Sequence, residues 1–101
     1  MSENQLLLEA IALKKCVTTI YNNVPMMLAP HILYSKHDTL FIDAVAIERN
    51  GQAPKEVKLG AFHLAGLKEL ALTERHFEPV RLFDAAAPKY DGVTLFAVGA
   101  A

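Results

Sequence analysis

The chain has 101 residues, which suits a single domain with one hydrophobic core. Its 10 lysines and arginines against 11 acidic residues give a net charge of -1, so no overall positive field attracts nucleic acids. The lone cysteine, Cys16, excludes an intramolecular disulfide, and the sequence shows neither a signal-peptide pattern nor an apolar run of the roughly 20 residues that span a membrane. We therefore expect a cytoplasmic protein that does not enter membranes.

The composition is more apolar than is usual for so small a domain. Apolar residues make up 52% of the chain and charged residues only 21%, although the large relative surface of a small domain calls for polar cover. Some apolar surface should therefore meet a partner. Because two-fold pairs are the commonest soluble oligomers, we expect a homodimer or a complex with a partner protein.

The first two elements follow from local signals. Ser2 and Gln5 form a capping box, and the apolar residues after them recur at helical spacing up to two lysines that suit the end of a helix dipole. This pattern predicts a helix over residues 2–15. The next segment, CVTTIY at 16–21, is rich in β-branched residues and ends at two asparagines, which predicts a strand followed by a turn.

The segment over residues 24–38, VPMMLAPHILYSKHD, allows three interpretations. Pro25 and Pro30 cannot donate a hydrogen bond to a sheet, so the segment is an edge strand, a bent strand or a strand that begins after Pro30. Residues 35–38 then have the composition of a turn.

Further strands are predicted towards the C-terminus. TLFIDAVAIE at 39–48 is the clearest strand, and the Asn-Gly pair after it is typical of a tight reversal before a strand over 56–64. LKELAL at 67–72 has helical propensity, but a short stretch after a glycine does not nucleate a helix easily, so we favour a strand. Residues 73–92 resemble turns and linkers, and 93–98 can form a last strand.

This order of elements indicates the fold class. One helix followed by short strands, without βαβ alternation, predicts a mainly β (α+β) domain with a small five-stranded antiparallel sheet rolled into a barrel. We assign one domain over 1–101, with the barrel over 16–83 and a linker and last strand over 84–98. The last strand can pair within its own barrel or across a subunit boundary.

The sequence contains no pattern of known catalytic chemistry. There is no phosphate-binding glycine loop, no nucleophile elbow and no paired carboxylates in a recognisable frame, so we predict neither an enzyme nor a cofactor. Nothing near Cys16 would lower the pKa of its thiol, which favours a packing role. Metal-ligand spacing is also absent from the four histidines, which are His31, His37, His63 and His76.

Asp43 lies in the middle of the clearest strand. Alternation places it on one face with Phe41 and Val45, while Ile42 and Ala44 point into the barrel. We interpret Asp43 as a residue at the solvated margin of an outer face that the helix or a second subunit covers elsewhere. The alternative is a role in a functional site.

Three residues are candidates for ligand binding. His63 can be a solvated side chain and His31 can cap the end of a strand, which would leave both without a function. Alternatively, both histidines lie with Tyr21 at one end of the barrel and donate hydrogen bonds to an anionic ligand, although neutral imidazole does this less strongly than arginine.

The order of features resembles the WYL domain, a bacterial ligand-sensing module. The resemblance spans roughly residues 6–85 and comprises the leading helix, the strand ending in IY, a proline followed by IL, LFI followed by Asp43 and Ala44, AFHL, and HFEPVRLFD. It implies an Sm-like or SH3-like five-stranded barrel that binds a nucleic acid or nucleotide-like effector. In that family the barrel accompanies a DNA-binding winged helix, which this sequence does not contain, so we expect no autonomous DNA binding.

The sequence departs from the WYL pattern at the ligand face. His63 and Gly66 stand where the family has two arginines, which removes the bidentate groups that grip phosphates. We therefore predict a non-catalytic sensing or regulatory module, within a transcription-related system, that binds a small or nucleotide-like ligand at Tyr21, His31 and His63. The alternative is a protein-protein interaction or assembly module that has lost this face.

Overall fold

The computed structural model describes residues 3–55, 58–80, 83–84 and 86–98. A helix, α1, precedes six strands, so the predicted mainly β class with an N-terminal helix is confirmed. Two short 3-10 helices, Leu64–Gly66 and Pro88–Tyr90, lie in the connections. The elements are α1 (Glu3–Leu13), β1 (Lys15–Tyr21), β2 (Val24–Lys36), β3 (Thr39–Arg49), β4 (Leu59–His63), β5 (Lys68–His76) and β6 (Thr94–Ala97). All of the LKELAL segment except Leu67 belongs to β5, so the favoured strand is confirmed.

The first three strands are joined by two-residue hairpin turns. Residues 22–23 and 37–38 have φ angles of 51°, 64°, 52° and 63°, and the predicted reversal at 50–51 has φ angles of 54° and 81°. Positive φ at both central positions is the type I′ geometry that matches the twist of antiparallel strands. Asparagine, aspartate and glycine tolerate this region, which explains why the turns could be predicted locally.

β2 is the central strand of the sheet, whose order is β4-β3-β2-β1-β5 with β6 also paired to β2. All pairings are antiparallel. β2 is therefore not an edge strand and does not begin after Pro30. Its ladder with β3 shifts register between Pro30 and Ile32, where proline offers no donor, so the bent strand was the correct alternative.

The sheet is curled but open. Five strands lying flat would separate β4 from β5 by about 19 Å, four spacings of roughly 4.8 Å, yet only residues 64–67 connect them and three of these form a 3-10 helix. The sheet must therefore bend its two edges towards each other. Within the described residues no ladder joins β4 to β5, so a closed barrel is not shown.

Two hydrophobic clusters lie against the sheet. In the larger one, α1 contributes Leu7, Ala10 and Ile11, all with 0% exposure, and packs against β1, β2, β5 and β6. The smaller one consists of Ile32, Tyr34 and Tyr90, so it brings β2 against the segment before β6. β6 pairs with β2 of its own chain, which answers how the last strand is paired. None of the described helices is long and apolar enough to cross a membrane.

Candidate functional site

Asp43 is buried and fully engaged in hydrogen bonds, with only 1% of its surface exposed. Tyr34 Oη donates to Oδ1 at 2.7 Å, and Lys89 Nζ lies 2.9 Å from Oδ2, which also accepts a short hydrogen bond from Tyr90 Oη. The expectation that Asp43 lies at a solvated margin was therefore wrong. Neither α1 nor a second subunit is needed to cover it, because Tyr90 and Lys89 from the segment before β6 do so.

We refer to Asp43, Tyr34, Lys89 and Tyr90 as the Asp43 cluster. The hydrogen bonds of this cluster stabilise the fold. Burial, followed by the hydrogen bonds to Asp43, raises the pKa of Tyr34 and of Tyr90 well above the ordinary value of 10. The hydroxyls therefore stay protonated and act as donors, not as general bases. The carboxylate consequently fastens the C-terminal segment to the sheet through two donors, Lys89 and Tyr90, and also accepts a hydrogen bond from Tyr34 on β2.

His31 lies within β2 with 0% exposure, not at a strand end. Its ring packs against Phe77 and Phe83 at centroid distances of 5.0 and 5.3 Å. Nε2 accepts a hydrogen bond from Val80 N–H at 3.1 Å, so Nδ1 carries the proton and donates to Ala29 O at 2.7 Å. Both nitrogens of His31 therefore stabilise the fold. Its hydrogen bonds and ring contacts within the described residues are with Ala29, Val80, Phe77 and Phe83, and not with Tyr21 or His63.

The stability of the chain should depend on the protonation of His31. Burial lowers the pKa of His31 below its ordinary 6.5, against smaller raising effects of Ala29 O and Asp43, so the unfolded chain binds a proton at pH values where the folded chain does not. This contribution is complete above about pH 6.5 and is lost as the pH falls further, by at most about 1.4 kcal/mol per pH unit. Urea midpoints measured from pH 7.5 to 5 should show it.

Two histidine variants separate this effect from general acid sensitivity. His31→Gln should be less stable at pH 7.5 but should show a flatter fall in stability towards pH 5. His76→Gln changes an exposed histidine at the end of β5 and should keep the wild-type slope. Equal slopes in the wild type and His31→Gln would contradict the assignment.

Tyr21 and His63 lie close together at one end of the sheet. The His63 N–H donates to Tyr21 Oη at 3.4 Å, and the Tyr21 ring meets Phe62 edge-on at 5.1 Å. Gly66 lies against the same ring, where a β-carbon would come within 2.8 Å of Tyr21 Cε1. The side chain of His63 is exposed and its ring lies 4.2 Å from that of Phe41. The structure thus brings together two of the three predicted site residues, through the main chain of His63.

An open groove of about 1010 Å³ lies between the C-terminal half of β3, β4 and the loop that joins them. Its floor is apolar and includes the small residues Ala44, Ala46 and Gly60, whose short side chains leave the depression. We call it the β3–β4 groove. Its lining residues are Val24, Ala44, Ala46, Arg49, Asn50, Gln52, Ala53, Pro54, Lys55, Lys58, Leu59, Gly60 and Phe62.

The described residues of the β3–β4 groove include three cations. Arg49, Lys55 and Lys58 are exposed lining residues, and none of the 13 lining residues that the structure describes is acidic. The hairpin turn fixes the start of this loop, because Arg49 N–H donates to Gln52 O at 2.8 Å and Gln52 N–H donates to Arg49 O at 3.1 Å. A chain of net charge -1 thus places several cations around an apolar floor, which attracts anions locally.

Sequence reasoning did not identify the β3–β4 groove. Its three cations occur within the ten residues 49–58, but two of them follow the turn and a glutamate lies among them, so the segment resembles an ordinary polar loop. The available signal was the run of small residues on β3, Ala44 and Ala46, beside Gly60 on the next strand. Register decides that Ala44 lies opposite Gly60, and register is not visible in the sequence.

Neither a metal cluster nor a known relative identifies the site. Cys16 is buried and burial raises the pKa of its thiol, so its predicted packing role is confirmed. Among residues 3–55, 58–80, 83–84 and 86–98, no three His, Cys, Asp or Glu side chains come together as metal ligands. Comparisons of the chain with protein-family models, with curated proteins and with solved structures found no match.

Proposed function

We propose that the chain is a non-catalytic ligand-binding module whose β3–β4 groove holds a small organic anion with an apolar body, such as a nucleotide. The observation that carries this proposal is the pair of exposed cations Arg49 and Lys55 beside an apolar floor, with no acidic residue among the lining residues that the structure describes. A groove of about 1010 Å³ is at the upper end of the size range of small-molecule sites.

The floor and the rim of the groove suit different parts of such a ligand. Ala44, Ala46 and Gly60 leave room for an apolar or planar body, and Leu59 and Phe62 supply apolar contact. Arg49 can bind a phosphate or carboxylate with two parallel hydrogen bonds, while Lys55 adds a mobile positive charge. The apolar body of the ligand thus gains contact area on the groove floor, and the cations at the groove rim orient the charged group of the ligand.

The proposal keeps the sensing function that the WYL resemblance implies and moves the binding site. Arg49, Lys55 and Lys58 would replace the two arginines that the sequence lacks at His63 and Gly66. Tyr21 packs against Phe62, which lines the groove. We include in this proposal that the curled sheet is a variant of the Sm-like or SH3-like barrel, and that the module serves a transcription-related regulatory system.

Thermal unfolding with four probes tests the proposed ligand class. Adenosine monophosphate combines a planar body with a charge, adenosine has only the body, inorganic phosphate has only the charge, and decanoate combines an aliphatic body with a charge. A bound ligand at ten times its Kd should raise the melting temperature by roughly 6–10 °C. We expect this from adenosine monophosphate, decanoate or both, and no comparable shift from adenosine or phosphate. Unchanged melting temperatures with both amphipathic anions would contradict the proposal.

Charge reversal at the rim locates the binding. The double variant Arg49→Glu/Lys55→Glu should weaken binding of the active probe by about 100-fold, because two attractive charges become repulsive. Lys36→Glu is the matched control, since Lys36 is an exposed cation at the end of β2 that does not line the groove. Titration calorimetry at low salt measures both, and equal losses in the two variants would indicate nonspecific attraction.

A further inference from the structure

The exposed apolar side chains of this protein are concentrated on two elements that pack together. Among the described residues the exposed large hydrophobic side chains are Leu8 and Leu13 on α1, and Leu95 and Phe96 on β6. α1 packs against β6, so the four side chains lie on two neighbouring elements. Leu95 is the most exposed of them, at 56%.

β6 also has an unused hydrogen-bonding edge. It pairs with β2 on one side, and no described strand pairs with its other side. The pairing is held at both ends of the strand, where Val98 N–H donates to His31 O and Ser35 N–H donates to Val93 O, and a register shift lies at Leu95 between them. An outer edge of this kind is a template for another strand.

The outer strand β5 is protected against such pairing by charge, whereas β6 carries no charge. β5, KELALTERH, has exposed charged residues at both ends. Charged side chains on an edge strand are a usual means of preventing strand addition. β6 reads TLFA and lies within VTLFAV at 93–98, which contains no charge, proline or glycine.

We propose that β6 pairs with β6 of a second copy of this chain, in antiparallel orientation about a two-fold axis, with α1 contributing to the same interface. A stable interface needs about 800 Å² per partner, more than a four-residue strand supplies, and the exposed leucines of α1 extend the apolar area beside it. A second copy fits because the same uncharged edge meets itself, and two chains of net charge -1 repel each other little.

Light scattering coupled to gel filtration of the full chain tests this proposal, which does not depend on the β3–β4 groove. The wild type should have a mass of about 22 kDa, twice the 11.1 kDa of one chain. Leu95→Lys should be a monomer with the wild-type circular dichroism spectrum, because a lysine on the edge opposes strand addition. Ala71→Lys places the same charge at an exposed position of β5 and should remain a dimer.

Two results would overturn the proposal. One is a wild-type chain that is monomeric at the highest concentration tested, which would leave β6 without a second copy. The other is a dimer or larger assembly that Leu95→Lys does not dissociate, or that Ala71→Lys dissociates equally, since the interface would then lie elsewhere. If Leu95→Lys fails to give folded protein, Leu95→Thr removes the apolar side chain from the same strand and should weaken the dimer at least tenfold.

Discussion

Replacing Asp43 by alanine is expected to lower the free energy of unfolding by about 4 kcal/mol, a large part of the 5–15 kcal/mol of a typical domain. The substitution leaves the buried hydroxyls of Tyr34 and Tyr90 without their acceptor, and each unsatisfied hydroxyl costs about 1–3 kcal/mol. The loss of the Lys89 contact adds little, because the lysine side chain is 57% exposed and its charge returns to water. Urea denaturation at pH 7.5 measures the difference.

The order of three variants makes this prediction specific. Asp43→Asn keeps the shape and one acceptor oxygen but loses the charge, so it should destabilise the chain by about 2 kcal/mol, between wild type and Asp43→Ala. Asp38→Asn changes an exposed aspartate in a hairpin turn, where asparagine tolerates the positive φ equally well, and should change stability by less than about 0.5 kcal/mol. A loss below about 1 kcal/mol in Asp43→Ala would show that the cluster does not hold the C-terminal segment.

Replacing Phe62 by alanine should lower the free energy of unfolding by about 3–4 kcal/mol. Phe62 is 7% exposed, belongs to the larger hydrophobic cluster and packs edge-on against Tyr21, so the substitution removes a large buried ring and leaves a cavity. It also deepens the β3–β4 groove, because Phe62 lines its floor. Stability and binding of the active probe should therefore both fall.

Phe62→Leu is the matched control for this position. Leucine fills most of the space and should cost about 1–1.5 kcal/mol, with a smaller effect on probe binding. The two effects are separated by measuring binding at a temperature where each variant is fully folded. If Phe62→Ala unfolds no more easily than Phe62→Leu, the ring is not a packed part of the core.

Much of the local structure of this protein follows from short segments. The turn residues at 22–23, 37–38 and 50–51 accept positive φ angles by their own chemistry, so the strands that they join could be placed in advance. The strand assignment of LKELAL also held, because a short segment after Gly66 cannot nucleate a helix by itself. By contrast, Pro25 and Pro30 left the position of β2 in the sheet undecided. A proline lacks a backbone N–H donor, but this does not prevent the rest of its strand from pairing with neighbouring strands on both sides.

The sequence did not predict the β3–β4 groove. Of the three residues that it predicted as a site, Tyr21 and His63 lie together and His31 lies elsewhere, because the sequence of a strand does not reveal which of its side chains become covered by distant segments. The burial of Asp43 depends on Lys89 and Tyr90, which are 46 and 47 residues away in the sequence. The signal in the sequence was an aspartate in an apolar strand together with two tyrosines, and nothing local indicated that they meet.

The sequence by itself determined the elements, their turns and the apolar excess, because φ preferences, periodicity and composition act over a few residues. The tertiary structure decided what each face of the sheet contacts, since strand order and register bring together residues that are distant in the chain. In the tertiary structure Asp43 is a buried hydrogen-bond acceptor and not the solvated residue that its strand alone suggested. Strand pairing also places Ala44 opposite Gly60 in the β3–β4 groove. It also placed β6 against β2 where β1 leaves that strand open, because β1 pairs with residues 24–28 of β2 and β6 pairs with residues 32–34.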